Sequence, residues 1–160
     1  MDGWLQKVRQ ESKLLQGERT ELSELIEKEV YGWYAIFYRW TRGLCEPNES
    51  EVEPIYVNLS HDFRVLLTSG VMVDREAYWK RLVSLYAARR GDPPSHILNL
   101  EMLPVGPDHM LVTFDLFKKG VLQKKFDSAL MRRNPALAAG VEWVYVHESD
   151  HTLDSPPPIP

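Results

Sequence analysis

The sequence predicts an α+β fold, in which three N-terminal helices cover one face of a curved, mainly antiparallel (mixed) sheet of four to six strands. Three observations carry this. Apolar residues recur at spacings of three and four between residues 20 and 43, the stripe of an amphipathic helix. Four strand-like runs, 95–104, 109–118, 122–133 and 141–149, are separated only by turn-forming stretches. The helical patterns precede the long strands, and that order favours helices layered on one side of a sheet.

Taken in order, residues 1–17 are polar with a weak helical pattern (Trp4, Leu5, Val8, Leu14, Leu15) and read as a lead-in helix or arm. Thr20 then stands before Glu21 and Glu24, acids well placed at a helix N-terminus. The helix over 20–43 carries Leu22, Leu25, Ile26, Val30, Trp33, Phe37 and Trp40 on its stripe, which Leu44 continues. Tyr31, Tyr34, Ile36 and Tyr38 lie off it, so this helix is expected to be covered on more than one side. Gly43 ends it. A loop at 46–50 leads to a second helix over 51–60, with Pro54 in its first turn, where proline is tolerated. A strand over 62–68 and a turn at Ser69-Gly70 follow, then a third helix, 75–90, capped by Asp74 and stopped by Gly91-Asp92-Pro93-Pro94. The main domain spans 18–150, and a proline-rich tail occupies 151–160.

With 160 residues, 44% hydrophobic and 26% charged, the chain suits one core. A net charge of −4 supplies no global field for nucleic acid or anionic membrane, and neither is an expected partner. No apolar run reaches the length of a membrane span, and the N-terminus lacks a signal-peptide core. The single cysteine, Cys45, suits a reducing compartment, so a cytoplasmic location is expected. No metal signature, phosphate-binding glycine loop or Gly-x-Ser-x-Gly elbow occurs, so no metal or cofactor is predicted.

The element order is similar to that of the nuclear transport factor 2-like (cystatin-like cone) superfamily. Three segments carry the resemblance: E-V-Y-G-W-Y-A-I-F-Y-R-W-T-R-G at 29–43, L-S-H-D-F-R-V-L-L-T-S-G-V-M-V-D-R-E-A-Y-W at 59–79 and V-E-W-V-Y-V-H-E-S at 141–149. They resemble SnoaL-like and uncharacterised bacterial members. The resemblance spans about 18–150 and implies a cone with a pocket between concave sheet and helices. This superfold hosts enzymes, binding proteins and oligomerisation domains.

Strand alternation nominates the side chains that face such a pocket. In the last strand Val141, Trp143, Tyr145, His147 and Ser149 share a face, and the aromatics favour turning it inward, with His147 at one end of the cavity. His96 shares a face with Leu98, Leu100 and Met102. Asp115 alternates with Leu111, Thr113 and Phe117, and Asp127 with Ala129 and Met131. The candidate acid/base groups are therefore His147, Asp115 and Asp127. The candidate pocket residues are Trp33, Phe37, Trp40, Tyr78, His96, Trp143 and Tyr145. Each has a plainer reading: hydrogen-bonded histidines at strand ends, solvent-facing aspartates, aromatics of an ordinary core.

The resemblance implies two functions. One is a pocket for a small apolar molecule, with proton transfer of the cyclase, isomerase or dehydratase kind. The first strand, F-R-V-L-L-T-S-G, has no carboxylate between Asp62 and Asp74, which counts against an isomerase. The other is a non-catalytic homodimer joined through the outer sheet face, which alternation assigns to Val144 and Val146. The residues leave enzyme status open between them. The basic hairpin F-K-K-G-V-L-Q-K-K-F (117–126) reads either as an anion-binding patch or as a solvated tip.

Overall fold

The structure, a computed structural model, describes residues 19–156 and 159. The predicted lead-in over 1–17 lies outside these residues.

Helix α1 (Glu21–Arg42) forms where its stripe predicts. Thr20 and Ser23 make a reciprocal cap: the Ser23 N–H donates to Thr20 Oγ1 (3.1 Å), and the Thr20 N–H donates to Ser23 Oγ (3.0 Å). Thr20→Ala is expected to cost about 1 kcal/mol, read as a lower midpoint in chemical denaturation. Gly43 ends the helix at φ 65°, and a Cβ there would meet Ala87 Cβ at 3.0 Å, so conformation and space both call for glycine.

The second helical region is shorter than predicted. A 3-10 turn (Glu49–Glu51) precedes a short α2 (Glu53–Val57). The chain then enters the sheet early, because the Asn58 carbonyl accepts from the Trp143 N–H at 2.8 Å. Strand β1 (Leu59–Leu66) pairs antiparallel with β2 (Met72–Asp74), a strand that the sequence pattern does not predict. Asp74 caps α3 (Arg75–Ser84), accepting from the Ala77 N–H at 2.8 Å. Helix α3 stops at Ser84 rather than at residue 90. Beyond it the Ala87 N–H donates to Trp40 O (3.0 Å) and the Arg89 N–H to Thr41 O (2.7 Å). Those amides satisfy the orphan carbonyls at the end of α1 instead of continuing α3.

Strands β3 (Ser95–Pro104), β4 (His109–Lys118), β5 (Gln123–Arg133) and β6 (Val141–Thr152) match the four predicted runs, with β6 continuing past residue 149. The sheet order is β2-β1-β6-β5-β4-β3, with β1 and β6 parallel and every other pair antiparallel. Its concave face packs Phe63, Val65, Leu100, Val112, Phe114 and Met131 against Leu22, Ile26 and Val30 of α1. A second cluster, Trp40, Val52, Ile55 and Leu82, ties α1, α2 and α3 together. Among the described residues no helix is long and apolar enough to cross a membrane.

Two one-residue irregularities decide which side chains face the cone. In β3, Leu98 pairs with Asp115 and Glu101 with Thr113, so Asn99 and Leu100 together oppose Phe114. In β6, Tyr145 pairs with Leu130 and Trp143 with Met131, so Val144 is an extra residue. A bulge of this kind reverses the parity of everything beyond it. Asn99 takes φ 54°, a conformation asparagine tolerates better than most residues. Leu100 and Met102 therefore face inward while His96 faces outward. Val146, Glu148 and Asp150 turn inward, and Tyr145, His147 and Ser149 turn outward.

Candidate functional site

The cone leaves a cavity of about 370 Å³ between α1, α3 with its following turns, and the ends of β3 to β6. Trp33, Tyr34 and Phe37 of α1 and Tyr78 of α3 form its aromatic wall. A small apolar recess continues inward past Trp33, Tyr34 and Tyr78 to Phe63, Trp143 and Val146. The spacing of α1 explains the wall. Trp33 and Phe37 are one turn apart and stack at 5.1 Å and 19°. Trp33 also stacks on Tyr78 at 6.5 Å and meets Trp143 at 6.0 Å, tilted. Tyr34, on the neighbouring face of the helix, sets its edge against Phe114 at 5.6 Å.

Of the predicted pocket residues, Trp33, Phe37 and Tyr78 line the cavity and Trp143 lines the recess. Trp40 does not: it is buried in the second cluster, where its indole N–H donates to Leu82 O at 2.8 Å. His96 and Tyr145 lie on the convex face, carried there by the two bulges. His147 is exposed on the same face, so the acid/base role assigned to it has no cavity to act in.

The two aspartates, both nominated for the pocket, separate: β4 turns Val112, Phe114 and Leu116 inward, so the acid/base role expected of Asp115 has no cavity to act in. Asp115 is on the convex face, although buried. Its carboxylate accepts from Lys124 Nζ (2.9 Å) and from Asn99 Nδ2 (2.8 Å), which pins the β3 bulge. Asp127 sits opposite Phe114 on the concave side and is 1% exposed. Its Oδ2 accepts from the Tyr34 hydroxyl at 2.7 Å, and its Oδ1 has no hydrogen-bond partner among the described residues. Burial pushes its pKa up to about 7; Lys125 and the Tyr34 hydrogen bond pull it down, and Glu148 and Asp150 push it up. Burial, with Asp127 alongside, holds the Tyr34 phenol well above its usual range. Tyr34 lines the cavity and Asp127 stands behind it, so the phenol links the carboxyl to the space.

A third acid, Glu29, accepts from Trp143 Nε1 and from Asn58 Nδ2, both at 3.0 Å, and burial raises its pKa. It fixes the Trp143 indole at the recess. Glu148 completes the concave wall and pairs with Lys125 at 3.3 Å. Sequence reasoning nominates neither Tyr34 nor Glu148. Tyr34 carries a usable signal, its place off the apolar stripe. Glu148 carries none, because its direction depends on the bulge at Val144. Among the described residues no three His, Cys, Asp or Glu side chains gather as metal ligands.

No protein-family model and no curated protein matches the chain. In structure it is similar to an NTF-2 like protein of unknown function from Pseudomonas aeruginosa (TM-score 0.66, 15% identity, covering 79% of this chain and 98% of that one). It is also similar to an NTF2-like protein of unknown function in nutrient uptake from Rhodospirillum rubrum (TM-score 0.56, 12% identity, 81% and 98%). A third likeness is to the CaMKII hub of S. rosetta (TM-score 0.55, 10% identity, 86% and 100%). These likenesses, with helices packed on a bent six-stranded sheet, establish that the chain has the nuclear transport factor 2-like cone fold.

Proposed function

We propose that the cone holds a small molecule with a flat apolar body, and that Tyr34, backed by Asp127, exchanges a proton with it. The observation that carries this is an aromatic-walled cavity whose lining phenol is hydrogen-bonded to a buried carboxyl with a pKa near neutrality. While Tyr34 donates to Asp127, its oxygen lone pairs remain free to accept from a ligand O–H, such as a phenol or an enol. When the ligand proton moves to Tyr34 Oη, the phenol proton moves to Asp127 Oδ2. The ligand is left as its conjugate base and Asp127 as its acid; the return step reverses both transfers. A pKa near 7 keeps both states of Asp127 populated at neutral pH, as such a step needs.

Naphthol serves as the test ligand, with binding followed by calorimetry. One saturable site is expected, blocked by Leu116→Trp, which fills the cavity. Affinity is expected to rise from about pH 6 to about pH 8 as Asp127 ionises and strengthens Tyr34 as an acceptor, and to stay flat in Asp127→Asn. No saturable binding, or equal binding by the filled variant, overturns the pocket reading. A flat wild-type profile overturns the proton exchange.

The convex face supports a second reading, a homodimer. Leu103, Leu111, Leu130 and Tyr145 are successive partners across β3, β4, β5 and β6, making one apolar row. Leu103 is 48% exposed. Val146, expected on this face, is inside the cone. A second copy seated on the row would bury it, and Leu130→Arg is then expected to convert a sedimenting dimer to monomer. A wild-type chain that sediments as a monomer removes this reading.

A further inference from the structure

We infer that the ligand of this pocket is a carboxylate, its apolar body against Trp33 and Tyr78 and its charged group at the mouth beside Arg81 and Arg89. This rests on the small-molecule reading above and adds the chemical class of the ligand. The chain carries a net charge of −4, yet its cavity is lined by Arg42, Arg81, Arg89, Lys118, Lys124 and Lys125 against only Glu148 and Asp150.

Most of these charges are already engaged. Arg42 donates to the carbonyls of Asp92 (3.2 Å) and Pro93 (2.6 Å) and to Thr41 Oγ1 (3.1 Å), holding the chain after α3. Lys118 pairs with Asp92 at 3.0 Å, Lys124 with Asp115 at 2.9 Å and Lys125 with Glu148 at 3.3 Å. Arg81 and Arg89 make no ion pair among the described residues. Among those residues, the only lining acid in the same condition is Asp150, on the opposite, strand-built wall.

Both arginines are directed at the cavity. The Arg89 guanidinium stands 5.6 Å from the Phe37 ring centroid, over the aromatic wall. Both guanidiniums also pull down the pKa of the Tyr78 hydroxyl, against the burial that raises it well above its usual range. Two guanidinium forks at the rim of an apolar slot match a planar carboxylate on a flat body. A carboxylate presents two coplanar oxygens that such forks bind side on.

The test compares near-isosteric ligands differing in charge: indoleacetate, tryptophol and protonated tryptamine, titrated into the whole chain by calorimetry. Indoleacetate is expected to bind about tenfold more tightly than tryptophol, a margin of about 1.4 kcal/mol, and tryptamine more weakly than both. The margin is expected to shrink as salt is raised, because the mouth is open to solvent. Arg81→Gln with Arg89→Gln, both at solvent-accessible positions, is expected to abolish the margin, bringing indoleacetate to the affinity of tryptophol in the same variant. Equal binding of acid and alcohol, tightest binding of tryptamine, or a margin that survives the double variant overturns the carboxylate assignment and leaves the pocket standing. If none of the three shows saturable binding, the small-molecule reading falls and takes this inference with it.

Discussion

Replacing Asp127 with asparagine is expected to give a chain that gains about 2–3 kcal/mol of stability on wild type as pH rises from about 5 to about 8. The sign follows from the direction in which the carboxyl is pushed. Burial lifts the Asp127 pKa from an ordinary 3.8 to about 7 in the folded chain. Between those values the folded state holds a proton that the unfolded state has released. Stability from this group is therefore complete below about pH 4 and is lost as pH rises through 7. The full loss is about 4 kcal/mol, since each tenfold change in proton affinity is worth about 1.4 kcal/mol. Asparagine has nothing to ionise, so the variant is free of this loss. Its amide oxygen still accepts from the Tyr34 hydroxyl, while its NH₂ takes the place of the unpartnered Oδ1 and costs about 1–3 kcal/mol at every pH. The pH-dependent part is thus the diagnostic part. Urea denaturation of both proteins across the range measures it, and parallel profiles would show that Asp127 titrates as an ordinary surface acid. An acid that lowers stability at neutral pH, in contact with the lining of a cavity, is the kind of residue retained for chemistry rather than for folding.

Trp40→Ala is expected to cost about 3–5 kcal/mol. Trp40 is 2% exposed, sets its ring edge to face against Tyr86 at 4.7 Å, and gives its indole N–H to Leu82 O. Truncation opens a void in the cluster that joins α1, α2 and α3, and it removes the donor to a buried carbonyl. Helix α3 brings Tyr78, Arg81 and Leu82 to the cavity, so loosening its anchor is expected to weaken naphthol binding although Trp40 touches no ligand. Trp40→Phe keeps most of the ring volume and loses the hydrogen bond; it is expected to fall between the two. A Trp40→Ala chain within about 1 kcal/mol of wild type in chemical denaturation would show that the second cluster does not hold α3.

Local pattern carries most of the fold. The stripe from Leu22 to Trp40, the Thr20 and Asp74 caps and the turn residues between the long strands each act within a few residues, and each appears where expected. The elements that differ are set by distant partners. The end of α3 is decided by carbonyls of α1, and the start of β1 by Trp143 of the last strand. The site is partly legible for the same reason. Trp33, Phe37 and Tyr78 follow from helix periodicity, and Asp127 from alternation along a regular strand. His96, Tyr145 and His147 are misplaced when alternation is carried across the bulges. Asn99 is a residue type that suits such a kink, whereas Val144, β-branched between strand formers, looks like any other strand position.

That extra residue gives the last strand a second repertoire. If β6 slid by one place and absorbed Val144, the surface now presenting Val146, Glu148 and Asp150 would present Tyr145, His147 and Ser149 instead. An acidic wall would become one of phenol, imidazole and hydroxyl without a single substitution. The pairing of Val144, and not the identity of the side chains beyond it, therefore decides which chemistry the chamber presents.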